Sequence, residues 1–530
     1  MIALLWILLL SSVALGGLRL LMPPRLRPIL GVPEFAAVLL LPIVAMLSPT
    51  YLVFALAVVA ILAALPELGG NRISAGERRL RLLFFAVPLL PMLQFTVMIG
   101  PYTIVQLTYF TLICLGTLSA LMISGTEGSG GPSRLAPWDL TFAAMMAVQL
   151  FMDARSSDVM FTLRSIVQVL VNLGLPYLLF SRAMAGVRDP AALLIGLLLA
   201  SSAIGLIAVF ESVDHWLLYD AIVSRIGADL NGVSGYTKLR GGMLRAGATF
   251  PESTGLSLYL GVALTMVFAL RRQLASRALV TVMAAMLFAG LVCTFARVGY
   301  IALGVGLSMC LLHERRFGSL LAMLVVLPVV GLLVIAFGSH VSIVAASIGT
   351  GTDSSGSIDY RGMLYAAGLR LVGEHPLFGL SMTSLMGELS YLRQGEGIVD
   401  LVNQPLTIAM RAGLLGGALY FLMMARVLIA LFLGRRSMDS ATQACACACF
   451  AALIALMAAL TTTSFGRNET TFILLLGMGA GLATRSFASS ARVQRVTSSK
   501  PRSATQPAAA PASATPSIII SSPMRSSPLR

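Results

Sequence analysis

Apolar runs long enough to cross a bilayer recur almost end to end along this chain, and no other feature constrains its fold as strongly. They fall at 2–18, 31–48, 51–66, 82–100, 102–124, 137–153, 160–181, 190–210, 255–270, 278–296, 298–313, 319–337, 404–434, 440–463 and 469–484. A membrane-crossing helix needs roughly 20 predominantly apolar residues, and lipid tolerates only segments that satisfy their own backbone polar groups. Composition agrees: 57% of the 530 residues are hydrophobic and 11% charged, with a mean hydropathy of +0.90. An average soluble domain has about 25% charged residues. This excludes an ordinary soluble globule, and collagen-like, disulfide-stapled or disordered classes for most of the length. The expectation is an all-α, polytopic transmembrane helical bundle of about 12–15 spans.

The formal net charge of +15 comes from 37 Lys+Arg against 22 Asp+Glu. In a soluble chain that balance would suggest nucleic acid; between apolar spans it reads first as topology, and no nucleic-acid partner is expected. Basic gaps at 19–27, 72–81, 182–188, 271–277, 314–316 and 435–436 fall on one side when the spans are counted, together with the gap holding Arg134 and the tail. The positive-inside rule makes that side cytoplasmic. The first apolar stretch is followed, not preceded, by Arg19, Arg25 and Arg27, which favours a first span over a cleaved signal peptide. From about Ser486 the chain is rich in Ala, Pro and Ser, and 485–530 holds seven cations and no acid. It reads as a disordered basic cytoplasmic tail. Cys114, Cys293 and Cys310 lie in apolar runs, and Cys445, Cys447 and Cys449 alternate with Ala in another. That spacing lacks zinc or disulfide geometry and suits small-residue helix packing, so neither a metal nor a cofactor is expected.

Three regions follow: N-terminal spans at 1–210, a core at 211–484, and the tail at 485–530. Within the core, long segments at 211–253 and 338–402 fall on the outer face. The second is expected to be partly helical, since Met363, Leu364, Ala367 and Leu371 give Asp359–Glu374 an apolar face at near-helical spacing. Arginines on that face run against the positive-inside bias: Arg240 and Arg245 in LRGGMLRAGATFPESTG, Arg297 in CTFARVGY, and Arg361 in IDYRGMLY. A guanidinium grips phosphate oxygens bidentately and keeps its charge, so several converging on one mouth would suit a diphosphate. Pairing with Asp220, Asp229, Asp353 or Asp359, or snorkelling to headgroups, is the ordinary alternative for each. Glu252, Asp359 and His375 are possible general bases, with an ion pair or a helix cap as the plainer reading.

These motifs, in order, resemble the O-antigen ligase and Wzy-type polysaccharide polymerase superfamily, more closely its exopolysaccharide polymerase branch. The resemblance rests on RxxxxRxGxxFP at Arg240–Pro251, TxxR at Thr294–Arg297, IDYR followed by HPLFG within Ile358–Gly379, and GEGIVDLVN with Gly413 ten residues beyond Asn403. It spans roughly 236–425. It implies metal-independent glycosyl transfer at the outer face of a bacterial inner membrane, from a polyprenyl-diphosphate-linked oligosaccharide to the hydroxyl of a second lipid-linked unit. Arg240, Arg245, Arg297 and Arg361 would stabilise the departing diphosphate, and Asn403 would position sugar or phosphate. A chain-length regulator, export machinery and membrane lipid would be partners. Family ligases carry His before the Asn-equivalent position, where this chain has Val402, so polymerisation is favoured over ligation. The usual Ser and Gly beside the TxxR arginine are Ala296 and Val298, and Arg411 stands where relatives more often have an acid. A transporter of lipid-linked oligosaccharides and a non-catalytic assembly partner are the alternatives. The clustering of polar outliers at one face favours surface chemistry over passage.

Overall fold

The computed structural model describes residues 2–65, 74–92, 94–99, 102–123, 135–155, 159–220, 239–240, 242–338, 353–393, 399–465 and 468–498. Its helices are α1 (Ile2–Leu21), α2 (Val32–Leu47), α3 (Tyr51–Ala64), α4 (Ala75–Ala86), α5 (Tyr109–Ile123), α6 (Pro137–Ala154), α7 (Val159–Val169), α8 (Leu175–Gly186), α9 (Pro190–Asp214), α10 (Ser253–Leu274), α11 (Arg277–Cys293), α12 (Val298–His313), α13 (Phe317–Gly338), α14 (Asp353–Glu374), α15 (Met382–Glu388), α16 (Gln404–Gly434), α17 (Ser440–Leu460) and α18 (Glu469–Ser498). Eight helical stretches among the described residues are long and apolar enough to cross a membrane: Ile2–Leu21, Arg27–Leu47, Thr162–Gly186, Pro190–Asp214, Ser253–Leu274, Gln404–Ser437, Ser440–Leu460 and Glu469–Phe487. Leu52–Ala64, Tyr109–Met122, Arg277–Cys293, Val298–His313 and Phe317–Leu332 are apolar but shorter. The protein is a polytopic all-α membrane protein.

The runs at 82–100 and 102–124 are not the two spans the sequence suggests. Between α4 and α5 lies an antiparallel hairpin, β1 (Gln94–Ile99) and β2 (Tyr102–Thr108), with Val97 opposite Val105. Pro88, Pro91 and Pro101 interrupt helical continuity there, and the stretch is rich in Thr and β-branched residues. A second, two-residue hairpin pairs β3 (Leu239–Arg240) with β4 (Met243–Leu244). Glu211, expected to open an outer loop, is instead fully buried in the last turn of α9. At the other end of the chain, α18 runs on to Ser498, past the tail boundary read at 485; residues 499–530 lie outside the described residues.

Lipid supplies no hydrophobic drive between helices, so close packing through small residues holds them. Gly205 of α9 lies so near α11 that a Cβ would meet the Met286 carbonyl at 2.6 Å, and a Cβ at Gly290 would meet Gly205 at 2.7 Å. Gly261 of α10 packs on the Gly299 backbone of α12 in the same way. Cys445, Cys447 and Cys449 are all buried in α17, as small packing residues would be.

The two ends of the bundle differ. At one, arginines clamp helix ends: Arg271 holds Glu314 at 2.8 Å, Arg25 the Gln273 carbonyl, Arg435 the His313 carbonyl, and Arg485 the carbonyls of Val187 and Arg188. Cations suit helix C-termini, where the unpaired carbonyls lie. At the other end a separate apolar cluster forms from α14, α15 and the start of α16. The buried face of α14 is Tyr360, Leu364, Ala367 and Leu371, while Met363 is 51% exposed. The expected amphipathic helix is present with its face rotated, because Tyr360 is seated by its hydroxyl bond to the Asp400 carbonyl at 2.9 Å.

Candidate functional site

Three of the sequence-selected arginines meet around one turn at the second end of the bundle. The turn Cys293–Arg297 joins α11 to α12 and places Phe295 at φ 49°, a conformation that bulky residues adopt only when the surroundings enforce it. The enforcement is visible: Ser257 of α10 donates to the Ala296 carbonyl at 2.9 Å and accepts from Gly299 N at 3.1 Å. Arg240 Nη1 then donates to the Phe295 carbonyl at 2.8 Å, and Arg245 Nε to the Thr294 carbonyl at 3.1 Å. Ala246 N bonds the Cys293 carbonyl at 3.0 Å. Arg297 itself is exposed at the N-cap of α12. Burial and the neighbouring Arg240 push Arg245 down to about 10, with Glu252 acting in the opposite sense. Two like charges are thus held together near two helix N-termini, an arrangement that favours a bound anion.

The loop bearing Arg245 is moored by a residue that sequence reasoning did not select. Glu211 accepts from Leu218 N at 3.0 Å, Gly247 N at 3.1 Å and Ala248 N at 2.7 Å. It draws Ala248 into a left-handed φ of 46°. Its sequence signal was a carboxylate in the last turn of a long apolar run, which is costly unless its oxygens are fully hydrogen-bonded.

Beside this cradle, the α17–α18 turn and α14 form the second half of the site. Asn468 packs against Gly255, in the first turn of α10. The same turn accepts Gln404 N on the Thr463 carbonyl and gives Phe465 N to Gln404 Oε1. Tyr365 of α14 donates to the Thr461 carbonyl at 3.1 Å, while Asn403 Nδ2 donates to the Tyr365 hydroxyl at 2.6 Å. Asn403 Oδ1 caps α16 through Leu406 N at 2.9 Å. Both polar atoms of the Asn403 amide are therefore engaged within the protein.

The ten-residue spacing from Asn403 to Gly413 also acquires a physical meaning. Gly413 has φ 63° and ψ −166° and breaks α16. Into that break fits the HPLFG segment: Leu414 N donates to the Pro376 carbonyl at 2.7 Å, and Leu380 N to the Met410 carbonyl at 2.7 Å. Gly379, at φ 60°, lies against the same backbone, and Arg155, just past the end of α6, holds the Phe378 and Gly379 carbonyls. Broken helices at membrane depth persist only where the freed groups find partners. Here partners come from HPLFG and from Leu380, which follows it.

Next to the break, Arg411 lines a cavity of about 440 Å³ between α6, α15, α16 and α18. Gln149, Asp400, Gln404, Ser464 and Glu469 supply its polar groups, and Tyr420, Phe465 and Phe472 part of its wall. Glu469 and Arg411 attract one another electrostatically. Such a cavity, largely apolar and aromatic with a few polar and charged groups on its lining, has the character of a small-molecule site.

Of the four sequence-selected arginines, Arg240, Arg245 and Arg297 are brought to one turn. Arg361 is exposed one helical turn before Tyr365, and among the described residues no hydrogen bond or ion pair joins it to the other three. Glu252 stands at the N-cap of α10 and interacts with Arg245; Asp359 is exposed beside Arg361. His375 is exposed at the end of α14, its backbone N–H bonded to the Leu371 carbonyl. Arg240 and Arg245 bond backbone carbonyls rather than Asp220; Asp229 lies outside the described residues.

No curated protein matches the chain. Residues 282–421, which carry Arg297, Arg361, Asn403 and the broken helix, match the O-antigen ligase family model (Wzy_C), so this membrane-spanning protein contains a domain of the O-antigen ligase/Wzy superfamily and handles glycans.

Proposed function

We propose that the protein polymerises polyprenyl-diphosphate-linked oligosaccharide repeat units at the outer face of a bacterial inner membrane. The observation that carries this reading is the gathering of Arg240, Arg245 and Arg297 on the Cys293–Arg297 turn, at the end of the bundle opposite its clamped arginines. As the glycosidic bond breaks, charge develops on the leaving diphosphate. Guanidiniums already held by carbonyl bonds stabilise that charge without reorganising. The adjacent cavity with Arg411, Glu469 and Gln404 would hold a sugar of the donor or acceptor, and Arg361 would approach from α14. Asn403 enters as a positioning residue that fixes Tyr365 and the start of α16. Glu252, Asp359 and His375 are the candidate groups for deprotonating the acceptor hydroxyl, Glu252 being the one nearest the cradle. Val402 in place of the His that family ligases resemble one another in supports polymerisation over transfer of a finished glycan.

In cells carrying Arg245→Ala or Arg297→Ala, protein levels should stay normal while polymer is lost and single lipid-linked repeats accumulate outside. Loss of one preorganised charge-stabilising donor slows turnover by about 100- to 1,000-fold. Unchanged polymer length and yield in both variants would overturn the assignment. Repeats trapped on the cytoplasmic side would instead indicate transport.

A further inference from the structure

We infer that the cavity lined by α4, α5, the turn Leu170–Gly174 and α8, at the arginine-clamped end of the bundle, is a binding site for an anionic diacyl phospholipid. This cavity measures about 740 Å³, larger than the one beside Arg411. Its walls are apolar: Leu80, Leu118, Leu121, Leu175, Leu178 and Leu179. Leu170 and Met122 on its lining, like Leu178, remain exposed on the outside of the bundle, so it opens sideways where lipid tails run. A five-residue π-helical turn, Leu170–Gly174, separates α7 from α8 at its floor and widens the groove.

The mouth is charged, and one buried donor there is left over. Glu77 is taken up by Arg81 at 2.9 Å. Asp139 is taken up by Arg182 Nη2 at 2.9 Å and by the Tyr177 hydroxyl at 2.8 Å. Arg182 Nη1, buried, has no hydrogen-bond partner, and a buried N–H of this kind calls for an acceptor. Arg188, exposed at the same mouth, stands outside both pairs; its sequence neighbour Asp189 caps α9 through Ala191 N and Ala192 N, and its carbonyl accepts from Arg485. An apolar slot with the open Nη1 of Arg182 and the exposed Arg188 at its mouth complements one ligand chemistry: acyl chains ending in a phosphodiester. A soluble anion would leave the leucine walls wet, and a zwitterionic headgroup would set its own cation against Arg188. The site lies at the end opposite the Arg240–Arg245–Arg297 cradle, so it does not coincide with the place proposed for the diphosphate donor.

Full-length protein, delipidated in detergent, should bind dioleoyl-phosphatidylglycerol about tenfold more tightly than dioleoyl-phosphatidylcholine in native mass spectrometry. Inorganic phosphate should not compete, which separates a lipid from a free anion. Arg188→Ala and the slot-filling Leu178→Trp should each erase that preference; they leave the Asp139–Arg182 pair intact and lie away from the Cys293–Arg297 turn. Equal binding of the two lipids by wild-type protein would overturn the inference without any variant. So would displacement of phosphatidylglycerol by inorganic phosphate, preferential binding of a polyprenyl phosphate, or an unchanged preference in both variants. None of these outcomes bears on whether repeat units are polymerised.

Discussion

Arg245 is a residue held against its own electrostatic preference. Burial and Arg240 push its proton affinity well below that of a free guanidinium, down to about 10. The sign is that of a base whose folded-state value is depressed: below about 10 the cation weakens the fold, and the penalty fades only as pH rises from there toward the unfolded value. A ligand that brings negative charge relieves it at neutral pH. Arg245→Met should therefore leave the melting temperature unchanged or raise it, by about 1 kcal/mol of stability at most, while polymer synthesis falls. Farnesyl diphosphate, a soluble mimic of the donor, should raise the melting temperature of wild type more than that of the variant; equal shifts would sink the idea. Glu211 has the opposite character. Its three backbone bonds have no replacement, so Glu211→Ala should lower stability by about 3 kcal/mol, as orphaned buried N–H groups do. Thermal unfolding in detergent reads both. Glu211 and the Arg411–Glu469 pair were legible only as ionisable residues bordering or inside apolar runs; what they face depends on chain segments far away in sequence.

At the scale of elements, Gly413 tests the joint between α16 and HPLFG. A Cβ there would be driven into the Leu377 carbonyl, and φ 63° is strained for any L side chain. Gly413→Ala should lower stability by about 1–3 kcal/mol from backbone strain alone, whereas Gly417→Ala, with open space around it, should be near neutral. Similar losses in limited proteolysis for the two would refute the joint. The sequence exposed α14 through its periodicity, and the end of that helix at Glu374 follows from the Gly and Pro of GEHPLFG. It misjudged the buried face because Tyr360, whose polar hydroxyl weakens its apolar signal, outweighs Met363 once it bonds Asp400. It misread 94–108 as membrane-crossing because high hydropathy does not distinguish a hairpin from a helix; the prolines flanking it did.

For the molecule as a whole, the distribution of basic gaps is legible in the sequence alone, and Arg25, Arg271, Arg435 and Arg485 do cluster at one end. The orientation it implies is open to direct measurement. In a background with the half-buried Cys293 replaced by Ser, Gly373→Cys should react in intact spheroplasts with a membrane-impermeant maleimide, and Ser440→Cys only after lysis. The reverse pattern would place the arginine cradle inside and end the polymerase reading. The other cysteines are buried and contribute little background. The exchange of carbonyl and amide partners between Pro376–Leu380 and Met410–Leu414 also dictates how this fold can be recombined. A hybrid that takes 353–393 from one parent and 404–434 from another splices mismatched halves of a single lock. Grafting both stretches together preserves the fit, so they are the smallest unit of specificity that can be transplanted intact.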